Sequence, residues 1–290
     1  MLELLVNPKK AERRPIQMFF IGLFYAALSV VAAWLVFGRD PVLSKYMGIF
    51  TITFCVIFSM PFIYYTIKLE ERRDVEEEKE MNMLKMHAKA IYSFLWLFVG
   101  FVVAFSIMYV IMPDGEGLFR AQIETFCQIN RPDTFTDCLK QYGLDPSTGI
   151  GTTGSAISPR ERLFSIFSNN IYVLIFTIMF SLVFGAGAIF ILAWNATVIS
   201  AAIGIFIRSN LAQLPSGLAR YMIHGIPEIA AYFVAALAGG ILSTAVIRHD
   251  TKSEKFWTIF EDVLVLVIIS MAILFAAALI EVFITPKLFG

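Results

Sequence analysis

Charge is scarce in this chain. Only 16% of its 290 residues are Asp, Glu, Lys or Arg, and 58% are apolar. A soluble globular protein is roughly 25% charged. Such a composition excludes a disordered chain, which combines low hydrophobicity with high charge. It also excludes a nucleic-acid binder, which needs a basic surface, and an ordinary cytosolic enzyme. The 23 basic residues balance 23 acidic ones, so net charge names no partner. Histidine and cysteine are equally sparse, at three each. Two of the cysteines share a polar segment that holds no histidine, short of the four ligands a structural zinc takes. No G-x-S-x-G, no P-loop and no dinucleotide-binding G-x-G-x-x-G is present. Gly185-Ala186-Gly187 lies within an apolar run, where small residues serve close helix packing, as do Ala235 and Gly239 at i,i+4.

Long uncharged runs are what the chain has instead. About 20 apolar residues suffice for a helix to cross a bilayer. The expected fold is therefore all-α, a polytopic membrane bundle of about seven transmembrane helices. Ile16 to Phe37 is the first uncharged run. It is longer than a signal-peptide core and ends without a small-residue cleavage site, so it reads as a retained span. Met47 to Ile67 is the second, with Pro61 as an expected kink, since proline removes one backbone hydrogen bond. Ile91 to Met112 is the third, closed by the turn signal Pro113-Asp114-Gly115.

Between the second and third spans, residues 68–90 hold six Lys/Arg and seven Asp/Glu, with neither Gly nor Pro. This reads as a charged cytoplasmic helix, either a solvated linker or a docking site for a cytoplasmic partner. After the third span, residues 113–165 form a polar extracytoplasmic loop containing Cys127 and Cys138. Cysteines in such a loop, on the oxidising face, pair as a disulfide; two free thiols are the alternative. Cys55, within the second span, reads as inert packing. Ser158-Pro159-Arg160-Glu161 has the form of a capping box with proline at the first helical position. Leu163, Phe164 and Phe167 then recur at helical spacing, which suggests a short amphipathic helix on the membrane surface.

Residues 163–207 carry no charge and are too many for one span. The expected break is at Trp194-Asn195, giving a fourth span over about Ile171 to Ala193. Ala196 to Ile207 is then only about 18 Å of helix at 1.5 Å per residue, so the fifth element, Ala196 to Leu214, is either a short span or re-entrant. A sixth span lies within Arg220 to Ile247. A seventh runs from Glu261-Asp262 to about Ile284. The chain divides into a two-span hairpin (1–67), the charged helix (68–90) and a five-span core (91–290).

Short cytoplasmic loops collect Lys and Arg. Residues 1–15, 68–90 and 248–256 hold four, six and three of them, against two each in 38–46 and 208–220. That pattern places the N-terminus in the cytoplasm and, after seven crossings, the C-terminus outside.

Polar groups at membrane depth are costly and therefore informative. Here they are Asn195, His224, Glu228 and Glu281. His224 and Glu228, at i,i+4, share a helical face, and Pro227 between them frees a backbone carbonyl. The pair reads either as a structural cluster or as a proton or cation relay. A zinc protease would need H-E-x-x-H or a third ligand, and no further histidine or aspartate stands nearby. His224 and Glu228 are expected in the outer half of the bundle, apart from Asn195, with Glu281 as the nearer partner. His87 and His249 stand in charged loops and are expected to be solvated.

An extracytoplasmic loop, Asn169-Asn170 at a span entry, Gly185 and Gly187 within that span, Asn195 at its end, then His224-Gly225-x-x-Glu228 and small residues through Gly240 follow in order. In this the chain resembles the stage II sporulation protein M family of integral membrane proteins over about residues 91–290. It carries Ile223 where such proteins often have proline before the histidine, and Ala196 where they often have glycine. The resemblance implies an envelope membrane protein without catalysis or cofactor of its own. In spore formers the family member is a platform for cell-wall-degrading partners during engulfment. Asn170, Asn195, His224, Gly225 and Glu228 match as signature, with no chemistry attached. The expected function is a membrane scaffold or assembly factor, partnered by the lipid bilayer, other envelope membrane proteins and further copies of itself, and not by nucleic acid. The alternative is a small-solute or ion transporter using His224 and Glu228.

Overall fold

In a computed structural model the described residues are 14–76, 83–130, 134–144, 158–184, 189–209, 214–248 and 253–289. They form helices and no strand. Seven helices are long and apolar enough to cross a membrane. They are α1 (Gln17–Phe37), α2 (Met47–Glu76), α3 (Met83–Ile111), α7 (Pro159–Phe184), α8 (Ile189–Ser209), α9 (Leu214–Arg248) and α10 (Glu254–Leu279). Three short helices, α4 (Gly115–Leu118), α5 (Arg120–Asn130) and α6 (Phe135–Gln141), lie between α3 and α7. They define a loop face of the bundle. After α10 the chain makes a π turn, Ile280–Ile284, and ends in α11, Thr285–Phe289.

The centre of the bundle is α9. Buried residues make up 83% of its most apolar stretch, against 22% for α7 and 33% for α1. Residues 231–241 of α9 are all buried, and four of them are Ala and two Gly. Small side chains let helix backbones approach closely where no hydrophobic effect drives association. A Cβ on Gly239 would meet the Ile178 carbonyl oxygen at 2.8 Å and the Ser181 Cβ at 2.9 Å. Ser181 Oγ donates to the Ala236 carbonyl at 2.6 Å, so α7 and α9 are joined by both devices. α10 packs on α9 and also touches α7, with the Phe167 and Phe275 ring centroids 5.4 Å apart, while α3 packs on α1 and α8. The α1–α3 crossing is a backbone contact: a Cβ on Gly22 would run into the Leu97 carbonyl, and one on Gly100 into the Phe19 carbonyl. The N-terminal hairpin is therefore part of the bundle, since α2 also packs on α8 and α9.

Several boundaries differ from the sequence reading. The break in the long apolar run falls after Phe184, not at Asn195. Asn195 is inside α8, where its Nδ2 donates to the Ile191 carbonyl at 2.8 Å. By satisfying its amide on the preceding turn it stays helical. Both α7 and α8 are consequently full spans, and α8, with 21 residues, is about 32 Å long. It is neither short nor re-entrant. Gly185 and Gly187, read as a packing pair, lie outside the described residues. The expected surface helix after Ser158 is the first turns of α7 itself. Ser158 Oγ accepts from the Glu161 N–H at 3.3 Å and Ser158 N–H donates to Glu161 Oε2 at 2.8 Å, which is the capping box. The last span starts at Glu254, capped by Ser253 Oγ accepting from the Phe256 N–H at 3.2 Å. Pro61 and Pro227 both sit within continuous helices.

The charged stretch 68–90 splits between two helices. α2 runs past the apolar span to Glu76, and α3 starts at Met83. His87 is not solvated. It is fully buried, and its Nδ1 lies 2.6 Å from Glu70 Oε2, itself fully buried. This pair joins α2 to α3 at the end of the bundle opposite the loop face. His249 and residues 77–82 lie outside the described residues.

The loop between α3 and α7 is not a solvated polar segment where it is described. Leu118, Phe119, Ile123, Cys127, Cys138 and Leu139 are all at most 1% exposed. Cys127 and Cys138 form a disulfide, with Cα atoms 5.9 Å apart, that clamps α5 to α6. Phe119 packs against Phe105 and Tyr109 of α3, with ring centroids 6.2 and 5.6 Å away. Gln122 Nε2 donates to Thr197 Oγ1 of α8 at 3.3 Å. The short helices thus form a cap seated among α2, α3 and α8 on the loop face.

Candidate intramembrane polar site

Three elements converge near Glu228. α7 supplies Asn170, 11 residues into the helix. α9 supplies His224, Glu228 and Tyr232 at successive i,i+4 positions on one face. The π turn supplies Glu281. Asn170 is buried, and its Nδ2 donates to Glu228 Oε1 at 2.7 Å. This bond joins residues 58 apart in sequence and pins α7 to α9 within the apolar region. Glu281 is close enough for its charge to act on Glu228, and Arg162, in the first turn of α7, acts on Glu281 in turn. Both carboxyl groups also act on Tyr232. Among the described residues the cluster therefore holds two carboxyl groups, an amide, a phenol and the Arg162 guanidinium.

The arrangement is placed by the helix ends. Asn170 and Arg162 lie towards the start of α7, on the loop face. Glu228 lies two turns past the point where the apolar part of α9 begins, and the π turn closes α10 at the same level. A π turn is rare and widens the helix by one residue. Here the turn that carries Glu281 packs against both α7 and α9. Asn195 belongs elsewhere. It sits two turns into α8 from the opposite face, bonded to its own helix.

Gly225 of the His-Gly-x-x-Glu motif is not sterically required. A Cβ there would meet only the Met222 Cε, at 3.8 Å. Gly239 has no such room. Among the described residues no three His, Cys, Asp or Glu side chains group as metal ligands would. The cavity between α2, α3, α7, α8 and α9 is lined by Ile63, Ile67, Phe94, Ser181, Ile189, Leu192 and Ala236 and measures about 10 Å³. That is room for about one water molecule.

Sequence reasoning singled out Asn170 as part of the family signature and Glu281 as the nearer partner of Glu228, and the structure brings these three together. It did not identify Arg162 or Tyr232. Tyr232 is legible in retrospect, because it continues the i,i+4 series from His224 and Glu228.

The stage II sporulation protein M family matches residues 21–286. The chain belongs to that family. The match takes in α1 and α2 as well as the five-span core, in keeping with their packing against α3, α8 and α9. An uncharacterized protein of Methanocaldococcus jannaschii is 34% identical over 129 residues, covering 43% of this chain and 71% of that protein. No solved structure matches.

Proposed function

We propose that the protein is a scaffold or assembly factor of the cell envelope, held in the cell membrane with its N-terminus cytoplasmic and its C-terminus outside, and without catalysis of its own. The observation that carries this reading is the use made of the polar groups. Glu228 is bonded by Asn170 of another helix, and the adjoining face of α9 is closed by Ala and Gly contacts with α7. Groups spent on joining helices serve a rigid platform better than a conduction path. The partners of such a platform are other envelope membrane proteins, further copies of this chain, and a cytoplasmic protein docking on the charged 68–90 region.

A transporter is the second reading. It rests on the π turn that brings Glu281 beside Glu228, since π turns recur at functional sites. Reconstitution into liposomes under an imposed pH gradient separates the two. On the scaffold reading, proton and cation flux equals that of empty liposomes, and His224→Ala and Glu228→Ala each melt at lower temperature in detergent. Flux that is lost in Glu228→Gln, or unchanged melting temperatures for both alanine variants, overturns it.

A further inference from the structure

α7 is the least buried of the seven spans, and its two sides differ. Asn170, Leu174, Thr177 and Ser181 are buried inside the bundle. On the other side Asn169, Tyr172, Phe176, Met179 and Val183 are exposed, the last four by 53–69%. The outer five alternate spacings of three and four residues. They form one stripe along the helix, in the pattern of a coiled-coil seam.

Tyr172, Phe176, Met179 and Val183 alone would be satisfied by lipid tails. Asn169 is not. It lies seven residues, about 10 Å, along α7 from Arg162, the last charge before the uncharged run. Among the described residues that stand ten or more from both ends of a span, it is the only exposed one that is neither apolar nor aromatic. Asn170 donates to Glu228 and Asn195 to its own helix. The Asn169 side chain makes no hydrogen bond among the described residues. A polar group at membrane depth is costly unless it is paired.

We propose that this stripe is where a second copy of the chain docks, with the Asn169 amides of the two copies bonded to each other. This deepens the scaffold reading and rests on the self-association that reading includes. The occupant follows from the chemistry of the stripe. It carries no charge, so it offers nothing to a charged partner. Its one amide combines donor and acceptor, so its partial charges complement those of its own copy. Two copies inserted in the same orientation and joined by the same face are related by a two-fold axis along the membrane normal. The two α7 helices then run parallel, and each stripe residue faces its own copy at the same depth. Asn169 therefore meets Asn169, and each amide gives one N–H to the oxygen of the other. A lone asparagine in a parallel seam fixes the register and the number of strands. In lipid such bonds and close packing, not the hydrophobic effect, drive association.

Oxidative cross-linking in native membranes tests the face. Phe176→Cys should give a disulfide-linked dimer, because its Cβ meets that of its copy across the seam. Leu264→Cys, similarly exposed on α10, should not, and equal dimer yields at the two positions overturn the proposal. Förster transfer between copies labelled at Val42→Cys, in liposomes of graded protein-to-lipid ratio, reads the strength. Asn169→Leu should weaken dimerisation by about 3- to 30-fold, and Asn169→Gln, which keeps the amide, should largely restore it. Dimerisation as strong in Asn169→Leu as in the parent overturns this surface and leaves the scaffold's self-association standing. Parent copies that stay apart at every density overturn both. In detergent that separates the copies, Asn169→Leu should melt within about 2 °C of the parent, unlike Asn170→Leu. A loss as large as that of Asn170→Leu would assign Asn169 to packing within one chain, and the proposal fails.

Discussion

The Asn170–Glu228 bond makes a quantitative demand. Replacing Asn170 by Leu keeps much of the volume and removes the donor, leaving the Glu228 carboxyl unbonded in a desolvated interface. A hydrogen bond to a charged group contributes about 1.5–3 kcal/mol, and orphaning its partner costs in the same range. For chains of this order of size, each kcal/mol is worth roughly 2–4 °C. Asn170→Leu should therefore melt about 3–12 °C lower in detergent, and Glu228→Met should fall comparably. Glu228→Gln behaves differently. Its side-chain oxygen still accepts from Asn170, and it removes one of two carboxyl groups that act on each other. Its melting temperature should lie within about 2 °C of the parent or above it. Because both single changes break the same bond, the double variant Asn170→Leu/Glu228→Met should be no less stable than the worse single. Thermal scans by intrinsic fluorescence on all four proteins complete the cycle. Additive losses would refute the assignment of this bond as the α7–α9 tie, and so would a Glu228→Gln variant as unstable as Glu228→Met.

Gly239→Ala should lower the melting temperature, because its Cβ meets the backbone of α7, whereas Gly225→Ala should be neutral or stabilising by up to about 1 kcal/mol on helix propensity. His87→Ala should destabilise by about 1–3 kcal/mol, because it strips a buried carboxylate of its 2.6 Å partner; thermal scans read all three. For the proposed orientation, Val42→Cys should react with an impermeant maleimide in intact cells, and Lys255→Cys only after permeabilisation; the reverse pattern inverts the topology. At the turn before α2, Asp40 Oδ1 accepts from the Val42 and Leu43 N–H groups, each at 2.8 Å, which holds its carboxyl below the usual range. A lowered native value means this turn is firm at neutral pH and loosens as pH falls through that value, so the protection of the Val42 and Leu43 amides relative to their intrinsic exchange rate at each pH should fall in acid and hold in base.

Membrane spanning was legible because it is written in composition and run length, which survive any error of boundary. Seven spans were anticipated, the fifth with other bounds and as short or re-entrant. The break inside 163–207 was misplaced because an asparagine was weighed as a turn former. In water that preference arises when the side chain competes for backbone groups. In an apolar surrounding the cheapest partner for Asn195 is the carbonyl of its own preceding turn, and the helix continues. His87 misled for a related reason. A charged stretch reads as solvated, yet Glu70 lies 17 residues away on the antiparallel helix, a pairing no local pattern encodes. The Asn170–Glu228 bond was hidden in the same way by its 58-residue separation.

Three of the buried bonds between side chains fall at different levels, each joining a different pair of elements. Glu70–His87 ties α2 to α3 at one end. Gln122–Thr197 ties the cap to α8 towards the other. Asn170–Glu228 ties α7 to α9. Among apolar helices in lipid there is little hydrophobic drive to prefer one packing over another, so a few directional bonds can select the register. Close packing stands beside the second link, where Gly48 lies against Gln122, and it recurs elsewhere in the bundle: Gly239 meets α7 about three turns along from the Asn170 bond, and Gly22 and Gly100 lie where α1 crosses α3. A protein whose task is to present fixed surfaces to partners needs one register held firmly. If that is the role of these bonds, a polar-to-apolar change at one level should loosen only its own helix pair. Hydrogen exchange on Asn170→Leu should then accelerate in α7 and α9 and leave α2, α3 and the disulfide-clamped cap protected. Acceleration spread evenly over all seven helices would mean instead that the bundle opens as a single cooperative unit, and the three bonds would lose their separate roles.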